Sequence, residues 1–168
     1  MHAVLIRRFI EATQNVFGTM VGTNVTFGTP GPTGRDPVEA DVSGIIGFSG
    51  DVAGAAVIRF PMATALGVVE ALCGEAFGGE SEDFSDAIGE IANMICGNAK
   101  SSLDGANVSI SCPQVVLGKD HKVQRPSDAV SITIPCETPH GIFVIEVSVR
   151  AAAKASAARD QVTPAAAS

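Results

Sequence analysis

The chain has 168 residues, long enough for one domain with a real core, and 46% of them are apolar with Phe as the sole aromatic type. Its formal charge of −7 argues against a nucleic-acid surface, which calls for a basic patch. No apolar run approaches the roughly 20 residues of a membrane span, so the expectation is a cytoplasmic protein with no nucleic-acid and no membrane partner.

Residues 4–20 carry a helical period, with Leu5, Phe9, Thr13, Val16, Phe17 and Met20 on one face. Residues 23–27 read as a short strand and 29–37 as a Pro/Gly-rich loop. Two β runs, 40–48 and 53–60, form a hairpin around Ser49-Gly50-Asp51. Pro61 ends the second run and can sit in the first turn of a helix reaching about residue 76. Gly78-Gly79 breaks that helix, and an acidic segment over 80–83 leads into a third, expected over about 83–103 and closing near Asp104-Gly105. Residues 108–117 read as a strand, and Pro113 inside it demands an edge or a bulge. A loop over 119–127 leads to a second hairpin, 129–135 with 142–149, turning at Thr138-Pro139-His140-Gly141. Beyond Arg150 the sequence becomes Ala-rich with scattered charge, so the domain is expected over 1–150 and a disordered tail over 151–168.

Helix, strand and hairpin thus occur twice, with an extra helix between the copies. Sliding the first helix onto the third puts Glu11 on Glu90, Gln14 on Asn93 and Gly18 on Gly97. The expected fold is α/β of the α+β type: a pseudo-symmetric duplication with helices packed on a mainly antiparallel sheet.

The third helix has two distinct faces. Phe84, Ile88, Ile91, Ile95, Ala99 and Leu103 form an apolar stripe suited to burial on a sheet. Asp86, Asn93 and Gly97 all fall within about 60° of Glu90, forming a ridge directed away from that stripe. Gly89 and Gly97 each cost about 1 kcal/mol against Ala in a helix interior, which is repaid if another surface approaches closely. Met94 projects near Glu90 and suits a partner contact. Arg7-Arg8 and the basic residues within 119–125 read as a solvated end and a solvated loop. Cys73, Cys96, Cys112 and Cys136 contain no CxxC and no zinc-finger spacing, so all four read as reduced core thiols. Residues 1–6, followed at once by two Arg, are too short for a signal peptide's apolar region. His2, His121 and His140 read as surface residues.

The run Glu90-Ile91-Ala92-Asn93-Met94-Ile95-Cys96-Gly97-Asn98-Ala99-Lys100 resembles the E-x-x-N helix of the CheC/CheX/FliY chemotaxis phosphatases. Asp86 matches the acidic or Ser position that opens the motif, and Pro113 follows downstream at a somewhat shorter spacing than is usual in CheC. Residues 9–17 and 43–54 resemble the CheX branch in particular. CheC-type members carry two such helices and CheX-type members one. Here Gln14 stands in place of the first Asn, leaving Glu11 and Gln14 as a possible vestigial second site.

The resemblance implies a phosphatase acting on the aspartyl phosphate of a CheY-type response regulator. Asn93 would aim the attacking water, as a Gln does in GTPases, and Glu90 would pair with a regulator lysine. A carboxylate so paired is a poor general base, so Glu90 docks rather than abstracts a proton. Asp86, Met94 and Gly97 would complete the contact. The resemblance further implies no cofactor of the chain's own, Mg²⁺ in the partner regulator, and a homodimer formed through the sheets. One alternative is a non-catalytic CheX-like dimeric module that binds a receiver domain or another signalling protein. A second is a thiol enzyme using Cys96 or Cys112.

Overall fold

The computed structural model describes residues 2–34, 38–119 and 121–150. The segment expected as a tail, 151–168, lies outside the described residues. Helix α1 (His2–Val16) passes into one π turn (Phe17–Val21), closed by Gly22 in the left-handed region at φ 76°. A π turn holds more residues than an α turn, so the apolar stripe slips by about one position. Val21 therefore enters the core, whereas Met20, expected inside, is 52% exposed.

Short strands β1 (Thr26–Phe27) and β2 (Gly31–Pro32) follow, so the segment expected wholly as a loop contains a β contact. The first hairpin is β3 (Val42–Gly50) with β4 (Gly54–Phe60). Helix α2 (Met62–Cys73) begins directly after Pro61, which offers no side-chain cap. The Asp41 carboxylate supplies one from outside, accepting the Met62 N–H at 3.0 Å. Gly74, left-handed at φ 75°, stops α2 slightly before the expected end. Helix α3 (Glu82–Ser101) opens on Ser81, whose Oγ accepts the Phe84 N–H at 3.1 Å. Glu82 and Asp83 in its first turn and Lys100 in its last both suit the helix dipole.

The strand expected over 108–117 is two strands, β5 (Val108–Ile110) and β6 (Gln114–Leu117). The break includes Pro113, which has no N–H for the ladder, and both pieces lie at the sheet edge, paired with β3. The second hairpin, β7 (Ala129–Thr138) with β8 (Gly141–Arg150), is longer than expected. Thr138 pairs directly with Gly141, so Pro139-His140 alone make the turn, and Gly141 adopts φ 131°.

The sheet runs β1-β7-β8-β4-β3-β5, with β2 also on β7 and β6 also on β3, and every pairing is antiparallel. From either end the order is the same: edge strands of one copy, then the hairpin of the other. The two hairpins meet at the central seam of β4 and β8, where Ile58 faces Ile145. The duplication expected from sequence is thus a real pseudo-symmetry with exchanged edges.

The helices cover one face of this sheet. Alternate residues Val42, Ile46, Ala56, Ile58, Ile134, Ile145 and Val147 join Phe9, Val68, Ile88 and Ile95 in one core. Phe143 of β8 stacks between Phe17 and Phe60, with ring centroids 5.1 and 5.0 Å away.

On the opposite face, residues 121–128 cross the strands. The Arg125 guanidinium pairs with both carboxylate oxygens of Glu146, which is only 2% exposed. His121 Nε2 lies 2.6 Å from the buried Ser43 Oγ, while its Nδ1 lies 2.7 Å from the Gly118 carbonyl. The loop expected to be solvated is therefore fastened to the sheet at two points. Neither His121 nor His140 is a free surface residue: both are half-buried, and His140 lies against Gly67 of α2.

Candidate functional site

Helix α3 presents the two faces that its period implies. Phe84, Ile88, Ile91, Ile95 and Ala99 are at most 1% exposed, and Leu103 is half-buried beyond the helix end. On the other side Asp86 and Glu90 are exposed, and Asn93 and Gly97 are half-buried. Among the described residues, the side chains of Glu90 and Asn93 make no hydrogen bond and no ion pair. A carboxylate and an amide one turn apart thus keep their polar valences uncommitted among the described residues.

The two glycines behave differently. A methyl at Gly89 would touch Pro113 Cγ at 3.4 Å and Val115 Cγ2 at 3.6 Å, so the surface that approaches this glycine is the chain's own edge strand. At Gly97 a methyl would meet nothing within 4 Å, so that position is open. Met94 is half-buried and packs against the core's margin, leaving part of its side chain on the ridge. Asn98 anchors the far side: its Oδ1 accepts from Asn15 Nδ2 of α1 at 2.7 Å, and its Nδ2 donates to the Met94 carbonyl at 3.0 Å.

The matching face of α1 has a different chemistry. Glu11 accepts from Arg7 Nε at 2.9 Å and from an Arg8 guanidinium nitrogen at 3.1 Å. The hydrogen bonds from Arg7 and Arg8 hold its carboxyl below its ordinary pKa. Gln14 is exposed. The α1 pair therefore differs from the α3 pair twice, in a longer amide and in a carboxylate already occupied.

The cysteines divide. Cys96 and Cys136 are buried, while Cys73 and Cys112 are exposed rather than core thiols as expected. Both exposed positions lie outside regular elements' packed faces: Cys73 ends α2, and Cys112 stands in the break between β5 and β6. Desolvation pushes the Cys96 thiol up to about 12 and raises that of Cys136 as well. At neutral pH Cys96 remains a thiol, a poor nucleophile. In the native protein a thiol reagent should label two cysteines rapidly and reach all four only after denaturation. Fast native labelling of Cys96 would contradict this placement.

Among the described residues, no three His, Cys, Asp or Glu side chains converge as metal ligands. No helix among them is long and apolar enough to cross a membrane. The residue that sequence reasoning missed is Gly44 of β3, which lies directly beneath α3. Its place in a glycine-containing strand, within the segment 43–54 that carries part of the family resemblance, signalled it, but the strand itself does not say which helix crosses there.

Residues 42–137 match the family described as chemotaxis phosphatase CheX. The CheY-P phosphatase CheX of Thermotoga maritima is 28% identical over 127 residues, covering 74% of this chain and 82% of that one. The crystal structure of the chemotaxis protein CheX of Desulfovibrio desulfuricans superposes with a TM-score of 0.79 at 31% identity, covering 87% of this chain and 99% of the other. The CheX–CheY–BeF3–Mg complex of Borrelia burgdorferi matches with a TM-score of 0.74 at 25% identity, over 87% of this chain and 97% of that chain.

Proposed function

The chain belongs to the chemotaxis phosphatase CheX family, and on that premise we propose that it dephosphorylates a CheY-type response regulator through the Glu90–Asn93 ridge. The observation that carries this reading is the state of those two side chains. They are one turn apart on the outer side and, among the described residues, without a hydrogen-bond or ion-pair partner, on a helix whose other face is committed to the core.

An aspartyl phosphate already has a good leaving group. What its hydrolysis needs is a water held in line with phosphorus. Asn93, inserted beside the phosphoryl group, orients that water through its amide. Glu90 pairs with a lysine of the regulator and sets the depth and angle of insertion. Asp86, the exposed part of Met94 and the open surface at Gly97 complete the contact. Mg²⁺ belongs to the regulator, where it offsets phosphoryl charge; this reading is supported by the Borrelia burgdorferi complex, which contains Mg with CheY. The chain needs no cofactor of its own for this chemistry.

The α1 pair, Glu11 and Gln14, is a remnant of the duplication. Its carboxylate is held by Arg7 and Arg8 and its amide reaches one methylene further. Residues 1–150 act as the phosphatase domain, and two copies associate through sheet edges of the kind that β1–β2 and β5–β6 present.

The test is a phosphate-release assay with CheY-type regulators phosphorylated by a small-molecule donor. Added protein should shorten the lifetime of one phosphorylated regulator. A protein that binds the beryllofluoride-activated regulator without shortening that lifetime would support the binding-module alternative instead.

A further inference from the structure

The turn of α3 that carries Glu90 and Asn93 on its outer side carries Ile88, Ile91 and Ala92 on its inner side, all at most 1% exposed. Beneath them runs β3. An ideal Cβ placed on Gly44 would lie 3.0 Å from Ala92 Cβ, 3.4 Å from the Ile88 carbonyl oxygen and 3.5 Å from Ile88 Cγ2. A side chain on the strand here would therefore press on the helix at the level of the ridge.

This contact cannot yield in the usual way. A long side chain could rotate off an added methyl, but the Ala92 methyl has no rotamer and is fixed to the helix backbone. The Ile88 oxygen is helix backbone outright. Gly44 is paired on both sides, with Ile58 of β4 and Val115 of β6, so the strand is held in the sheet. Relief must come from separating the helix from the sheet by a few tenths of an ångström. On the other flank, an ideal Cβ placed on Gly89 would lie 3.4 Å from Pro113 Cγ and 3.6 Å from Val115 Cγ2, in van der Waals contact with both. The helix is thus seated between a glycine floor and a proline wall at the level of Glu90.

We propose that Gly44 is a positioning residue for the phosphatase reaction: its missing side chain sets how far the Glu90–Asn93 ridge projects from the sheet. The proposal rests on the phosphatase reading above. Water-positioning chemistry is sensitive to sub-ångström placement, since errors near 1 Å can cost about 10²-fold. Docking through a flexible Glu side chain is less sensitive.

The experiment compares wild type, Gly44→Ala, Gly44→Ala with Ala92→Gly, and Val144→Ala. Val144 is fully buried on the opposite face of the sheet and serves as a stability control. The readouts are the dephosphorylation rate at saturating protein, the affinity for beryllofluoride-activated regulator, and the melting temperature. Gly44→Ala should lower the saturated rate roughly three- to tenfold while affinity stays within about twofold. Ala92→Gly, which removes the opposing methyl, should restore most of that rate. An unchanged rate in Gly44→Ala overturns the proposal, as does a failed rescue or an equal rate loss in a Val144→Ala protein of matched melting temperature. If wild type accelerates no regulator's dephosphorylation, the phosphatase reading fails and takes this proposal with it.

Discussion

Replacing Asn93 by Ala should lower regulator dephosphorylation by about 10²-fold or more, the scale seen when a preorganised polar group or the alignment of reactants is lost. Binding to the beryllofluoride-activated regulator should persist, because the proposed Glu90 pairing and the proposed contacts at Asp86, Met94 and Gly97 would remain. The fold should persist as well. Asn93 is half-buried, its side chain has no hydrogen-bond or ion-pair partner among the described residues, and Ala is the better helix former. A melting temperature at or above wild type, together with lost turnover, would separate chemistry from stability. Glu90→Ala should behave in the complementary way, weakening association more than the saturated rate. Gln14→Ala on α1 should leave turnover unchanged. An Asn93→Ala protein with undiminished activity would remove Asn93 from the mechanism and point to another group as the one that orients water.

The largest stability effect is expected at Phe143. Its ring is fully buried and stacked on both sides, against Phe17 at an interplanar angle of 10° and Phe60 at 25°. These separations lie in the favourable range for aromatic pairs. Phe143→Ala deletes the middle member and leaves a cavity between two rings that are fixed by different elements, so little collapse is available. The expected cost is about 3–5 kcal/mol, against a total of about 5–15 kcal/mol for an ordinary domain. The stack also joins the two copies, since Phe17 and Phe60 come from the first and Phe143 from the second. Chemical denaturation should therefore show a large fall in midpoint. A loss below about 1 kcal/mol would mean that the core relaxes around this site far more readily than its packing implies.

Much of the site was legible from local sequence because helix period is a local property. The stripe from Phe84 to Ala99 had to be buried, and that alone placed Asp86, Glu90, Asn93 and Gly97 on the other side. The clamp on Glu11 follows the same rule, with arginines three and four residues before it, although its consequence for the α1 pair emerged only once the side chains were placed. The duplication was legible as a repeated order of elements. Its exchanged edge strands were not, because pairing across the sheet joins residues far apart in the chain.

The same distinction separates the remaining findings. A π turn that rotates Met20 outward adds residues without interrupting the apolar pattern, so a constant 3.6 period misplaces that side chain. Arg125 looked like one more solvated charge until the crossing segment brought it onto Glu146. Gly89 and Gly97 are indistinguishable in sequence, yet one lies under Pro113 and the other is open, because that depends on where the β5–β6 edge passes over α3. By itself the sequence determined which residues face outward on α3 and what chemistry their types permit, since periodicity and side-chain inventory are local. The tertiary structure decided how far those residues project and which neighbours are already occupied, since packing distances between a helix and the strand beneath it are set by contacts no local window contains.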